Sequence, residues 1–65
     1  MWKLIDDPPD TDSGKWSRRV IVITNLGNLT TLSFFGNKID GVWQRPGYFI
    51  NGEEPALWTE IPKLP

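Results

Sequence analysis

The sequence predicts an all-β fold: a small antiparallel meander of four to five strands, curling toward an open SH3-like barrel. Three observations carry that expectation. "RRVIVIT" at 18–24 is a β-branched run bounded by turn residues, the pattern of a strand buried on both faces or nearly so. Glycine-containing turn signals recur between the short apolar segments that follow, at "LGN", "GNKIDG", "PG" and "NG". Nowhere do apolar residues return at helical spacing over roughly 11 positions.

The elements follow in order along the chain. Residues 1–7, "MWKLIDD", supply at most one helical turn. "DDPPDTDSGK" at 6–15 combines two prolines with Asp, Ser, Thr and Gly, and reads as a surface loop because proline lacks a donor and the others favour turns. After the 18–24 strand, a tight turn centred on Gly27 and Asn28 sets Leu26 opposite Leu29, Ile23 opposite Leu32 and Ile21 opposite Phe34, making one face wholly apolar. Val20 and Val22 then share a second, mixed face with Phe35 and Ser33, which a terminal tryptophan could cover. "GNKIDG" at 36–41 is a glycine-bounded turn, and "VWQR" is a third short strand ended by Pro46-Gly47. After "YFI", Asn51-Gly52 is expected to form a type I′ hairpin turn, since asparagine and glycine tolerate positive φ. The last strand, 56–61, stops at Pro62, which also discourages pairing with another sheet edge. One domain fills residues 1–65, with no repeat or linker.

So short a domain leaves roughly 40% of its unfolded surface exposed and needs reinforcement. With no cysteine and no histidine among 65 residues, disulfides are excluded and a zinc site would need an all-carboxylate ligand set. Four tryptophans, three phenylalanines and one tyrosine must act as the staples. Dimerisation is the other route, so a homodimer is carried as an expectation. No cofactor is expected. Trp58, in "ALWTEIPKLP" at 56–65, is read as a ring packed over the open end or second face of the hairpin, with Pro62 and Pro65 holding the tail extended.

Net charge is −1, so no global field points to nucleic acid or to an anionic membrane. Acidic residues at Asp6, Asp7, Asp10 and Asp12 precede a basic block at Lys15, Arg18 and Arg19, and blocks of this size read as solvated edges. No apolar run reaches the length of a membrane span, and the N-terminus lacks the pattern of a secretory signal, so a cytoplasmic location is expected.

"MWKLIDDPP", the strand "RRVIVIT", the pair "GVW" and the terminal "LWTEIPKLP" together resemble the family of short phage and prophage proteins called domain of unknown function 551. Members of that family open with tryptophan and a proline loop and close with a His-Trp pair and a Leu-Pro-x-x-Pro-like tail. The resemblance spans nearly the whole chain and implies expression from phage or prophage DNA in a bacterial cytoplasm. It implies no activity. Leu57 stands where the family commonly has histidine, so a function resting on that imidazole does not carry over.

Catalysis is the class the residues support least. Without His or Cys, a nucleophile would need Lys or a carboxylate as base, and the lysines all sit beside turns or termini. Asp6-Asp7 and Glu53-Glu54 fall in expected turns, where carboxylates are usually solvated, and neither matches an EF-hand loop. "SGKWS" at 13–17 fails as a phosphate loop, because the preceding glycine is absent and a strand rather than a helix follows.

What remains is binding. Basic and aromatic residues interleave in "KWSRR" at 15–19 and "WQRPGYF" at 43–49. The candidate contacts are Trp16, Arg18, Arg19, Trp43, Arg45 and Tyr48, residue types enriched at protein interfaces. The preferred expectation is non-catalytic binding of a host or phage protein. Two alternatives stand beside it: single-stranded nucleic-acid binding, with rings on bases and arginines on phosphates, and a nucleotide-like ligand held between subunits. The structural counter-reading makes Trp16 and Trp43 plugs with arginines laid over them.

Overall fold

A computed structural model describes residues 1–63; the tail position Pro65, assigned above a role in holding the chain extended, lies outside the described residues. The class is all-β and antiparallel, as expected. Six short strands stand among the described residues: β1 (Lys3–Leu4), β2 (Val20–Thr24), β3 (Leu29–Leu32), β4 (Phe34–Phe35), β5 (Val42–Trp43) and β6 (Pro55–Thr59). They form a four-stranded sheet in the order β1-β6-β2-β3 and a separate β4-β5 pair, and the sheets are not closed into a barrel.

The opening residues form a strand, not a helical turn: Lys3 and Leu4 pair with Trp58 and Leu57. This pairing joins the two ends of the described chain, a partner that local sequence cannot reveal. β6 lies between β1 and β2, so Pro62 does not guard a sheet edge as expected; the edges are β1 and β3. β6 begins on Pro55, a position where a proline costs the ladder least.

The β2–β3 register differs from the expected one. Val20 pairs with Leu32, Ile21 with Thr31, Val22 with Thr30 and Ile23 with Leu29. The two-residue turn centred on Gly27-Asn28 does not form. Instead Asn25, Leu26 and Gly27 form the loop, with Gly27 at φ 84° and Thr24 N–H donating to the Asn28 carbonyl at 2.9 Å. Thr24 fixes this choice. Its Oγ1 accepts from the N–H groups of Leu26 (3.3 Å) and Asn28 (3.2 Å), so the turn closes around a side chain.

That shift exchanges the roles of the two faces of β2. Val20, Val22 and Thr24 are buried, whereas Ile21 and Ile23 are only half-buried. The core is Val20, Val22, Leu32 and Trp58, with Trp43 and Phe49 packed against it. The face expected to be mixed is therefore the core, because Trp58 stands beside Val22 in the register and covers it.

Trp58 packs as expected and is 1% exposed. Its indole N–H donates to the Asp7 carbonyl at 2.9 Å, its ring meets Trp43 at 6.3 Å, and the Lys3 ammonium lies 5.0 Å from its centroid. Trp43 donates to the Ile5 carbonyl at 3.0 Å and meets Phe34 edge-on. These two indole bonds tie the N-terminal loop to the inner side of the large sheet.

The 36–41 segment is a turn as expected. Gly41 there packs so tightly on Phe34 that a Cβ would lie 2.4 Å from its ring. Asn51-Gly52 also turns, with Glu53 N–H on the Ile50 carbonyl at 3.0 Å, but positive φ occurs only at Gly52. The turn is thus not type I′ and joins no pair of strands.

Candidate functional site

Five of the six expected contact residues fall at three hollows, and the sixth, Arg18, is paired with Glu60. Trp16 is 56% exposed, resting on Phe35 with ring centroids 4.9 Å apart, and lines a cleft of about 230 Å³ with Arg19, Ser33 and Gln44. Backbone bonds hold that corner: Trp16 bridges to Phe35, and Ser17 N–H donates to the Phe34 carbonyl at 2.7 Å. Trp43 and Arg45 line a different groove of about 430 Å³, with Ile5, Pro8 and Phe34 as apolar wall and charges of both signs, including Asp6 and Lys38. Tyr48 is exposed at a third hollow of about 300 Å³ beside Thr30, to which its hydroxyl is bonded.

The arginines are largely engaged. Arg18 pairs with Glu60 in a two-pronged contact that raises the guanidinium pKa and lowers that of the carboxyl, mainly by hydrogen bonding. Arg19 donates to the Thr31 carbonyl and Oγ1, both at 2.9 Å. Arg45, itself exposed, donates to the carbonyls of Glu53 and Ile50. The arginine–tryptophan stacking of the counter-reading is not what forms: among the described residues the cation–π contacts are Lys3 on Trp58 and Arg45 on Phe49.

Glu53 is not a solvated turn residue. It is 4% exposed, and its Oε2 accepts from Thr24 Oγ1 and Asn28 Nδ2, each at 2.8 Å. Its Oε1 accepts the Ile50 N–H at 3.3 Å. The Asn28 and Thr24 bonds hold the carboxyl below its usual range against the opposing effect of burial, with smaller help from Ile50 N–H and the Arg45 charge. A carboxylate that accepts from three donors joins the 24–28 turn to the 50–53 turn. Its partners identify a structural tie.

The surface that sequence reasoning missed lies on the other side of the large sheet. Leu4 pairs with Leu57, Leu57 with Ile23 and Ile23 with Leu29, so one aliphatic row crosses all four strands. The adjacent row carries Thr59, Ile21 and Thr31. Strand alternation sets both rows opposite Val20, Val22 and Trp58. Leu4 is 61% exposed and Leu29 68%, with Ile21, Ile23 and Leu57 half-buried between them.

Only Met1, whose carbonyl accepts from Thr59 Oγ1 at 3.0 Å, and the Arg19 side chain on Thr31 reach this face among the contacts of the described residues, and the other segments pack on the opposite side. β5 and the N-terminal loop reach Trp58 through Trp43 and Asp7, Phe49 joins the same core, and Gly41 sits on Phe34. The signal for this face was present in the alternation Ile21, Ile23. It was assigned to the core because the Gly27-Asn28 register set Ile23 opposite Leu32 and Ile21 opposite Phe34, making that face wholly apolar.

No family model, no curated protein and no solved structure matches this chain. Among the described residues no group of three or more Asp, Glu, His or Cys is placed to hold a metal ion, and no helix is long and apolar enough to cross a membrane.

Proposed function

We propose that this chain is a non-catalytic binding module that docks a protein partner on the aliphatic face of its large sheet. The row Leu4, Leu57, Ile23 and Leu29 is the observation that carries this reading. The largest apolar patch on a small domain is often its interaction surface. Arg19, laid across Thr31 at one end of the face, leads to the exposed Trp16, which gives the apolar centre a rim of the residue types that anchor protein interfaces.

The proposed setting is that of a phage or prophage accessory protein acting on a host or phage protein in the bacterial cytoplasm. It rests on the sequence resemblance alone. Single-stranded nucleic acid is the weaker alternative, favoured only by the exposed indole beside Arg19. Phosphate neutralisation needs available cations, and Arg18 and Arg45 are committed within the chain.

A photo-reactive residue at Ile21, used in bacterial lysate with and without Ile23→Lys, tests the reading. The expected result is a defined protein adduct that Ile23→Lys abolishes and Tyr48→Ala preserves. Adducts indifferent to Ile23→Lys, or binding to an oligonucleotide that weakens steeply with salt, would overturn it.

A further inference from the structure

We infer that a second copy of this chain covers the aliphatic face, the two large sheets packing face to face as a symmetric sandwich. The inference rests on the proposed reading of that face as an interface and names its occupant. Three features select a second copy.

Size is the first. One row across four strands and a second across three, the strands about 4.8 Å apart, with the exposed flanks of Leu4 and Leu29, offer on the order of 500 Å² per copy. A two-fold contact then buries on the order of 1,000 Å² in total, the lower bound for a specific interface. A contact of that size is concentration-dependent.

Charge is the second. Neither row contains a charged residue, so a two-fold contact sets no like charges against each other. Arg19 borders the face and is already held by Thr31. With a net charge of −1 per chain, two copies meet almost without repulsion.

Stability is the third. The fully buried core is four side chains, Val20, Val22, Leu32 and Trp58, in a 65-residue chain without cysteine. Domains this small are marginal alone and commonly gain their remaining burial by association. Closing a second sheet over Ile21, Ile23 and Leu57 gives the large sheet a core on both sides, at the spacing of about 10 Å at which sheets stack.

Sedimentation equilibrium from about 1 μM to about 1 mM, together with thermal melts over the same range, tests this. The expected result is a rise in mass toward two chains, with the melting temperature climbing by several degrees. Ile23→Lys and Leu29→Glu should each remain at one chain, while Ile39→Lys, 95% exposed on the 36–41 turn, should behave as wild type.

Near-UV circular dichroism reports whether the variants keep the Trp43–Trp58 packing. Should they unfold instead, the concentration dependence of the wild-type melting temperature still decides. A wild type of one chain with a fixed melting temperature would overturn the inference, as would a dimer that survives both face substitutions. If wild type stays at one chain while Ile23→Lys still abolishes a heterologous adduct, the second copy is excluded and the interface reading stands.

Discussion

Trp58→Ala is the perturbation with the largest expected effect on this fold. The indole is 1% exposed and lies against Val22 in the register, against Trp43 at 6.3 Å and under Lys3. Burying a ring of about 200 Å² at about 25 cal/mol per Å² is worth on the order of 5 kcal/mol. Measured truncations of buried aromatic residues cost about 3–5 kcal/mol. Losing the indole N–H also leaves the Asp7 carbonyl without its donor, about 1 kcal/mol more. A chain of this length has a total stability of about 3–10 kcal/mol, so the variant should lose about half of it or more. Trp58→Phe keeps most of the area and gives up the hydrogen bond, so it should stay folded with a loss of about 1–3 kcal/mol. Urea denaturation followed by far-UV circular dichroism separates these outcomes. A cooperative transition for Trp58→Ala within about 1 kcal/mol of wild type would refute the assignment of Trp58 as the centre of the core.

Other outcomes follow from the same packing. Gly41→Ala should destabilise by about 1–3 kcal/mol or more, because its Cβ would lie 2.4 Å from both Phe34 and the Asn37 carbonyl, whereas Gly47→Ala, with nothing within 4 Å, should melt close to wild type. Glu53 has a folded-state pKa below its ordinary value of 4.5, so its ionised form stabilises the fold above that pH, and the contribution disappears as pH falls through the folded value. Acid titration of stability should therefore show a loss below about 4.5 that Glu53→Gln flattens; an unchanged acid slope would count against the Thr24–Asn28–Glu53 tie. Arg18→Ala should change stability by less than about 1 kcal/mol, since its pair with Glu60 is half exposed, and a larger loss by denaturant titration would contradict that placement.

The all-β class was legible because its signals are local: the β-branched run at 20–24, the glycine turns and the lack of helical period. Trp58 as a core ring was legible for the same reason, being a large apolar residue in a strand pattern. Register was not. It was decided by Thr24 Oγ1 accepting two backbone donors, which moved the loop back to Asn25–Gly27 and turned the valines inward and the isoleucines outward. β1 escaped notice because Lys3 finds Trp58 only across the folded chain. Glu53 escaped because its donors, Thr24 and Asn28, stand 29 and 25 residues away. The candidate contacts at Trp16 and Arg19 share a cleft, but Trp43 packs against the core and the exposed Arg45 is held by the carbonyls of Glu53 and Ile50, since a ring and a guanidinium serve contacts within the chain as readily as a partner.

The exchange of faces on β2 underlies the proposed interface, and thiol accessibility tests it directly in a chain with no native cysteine. Ile23→Cys in dilute protein should react with a maleimide well ahead of Val22→Cys, which should react only as fast as the domain opens. Protection of the thiol at 23 together with free reaction at 22 would contradict the account.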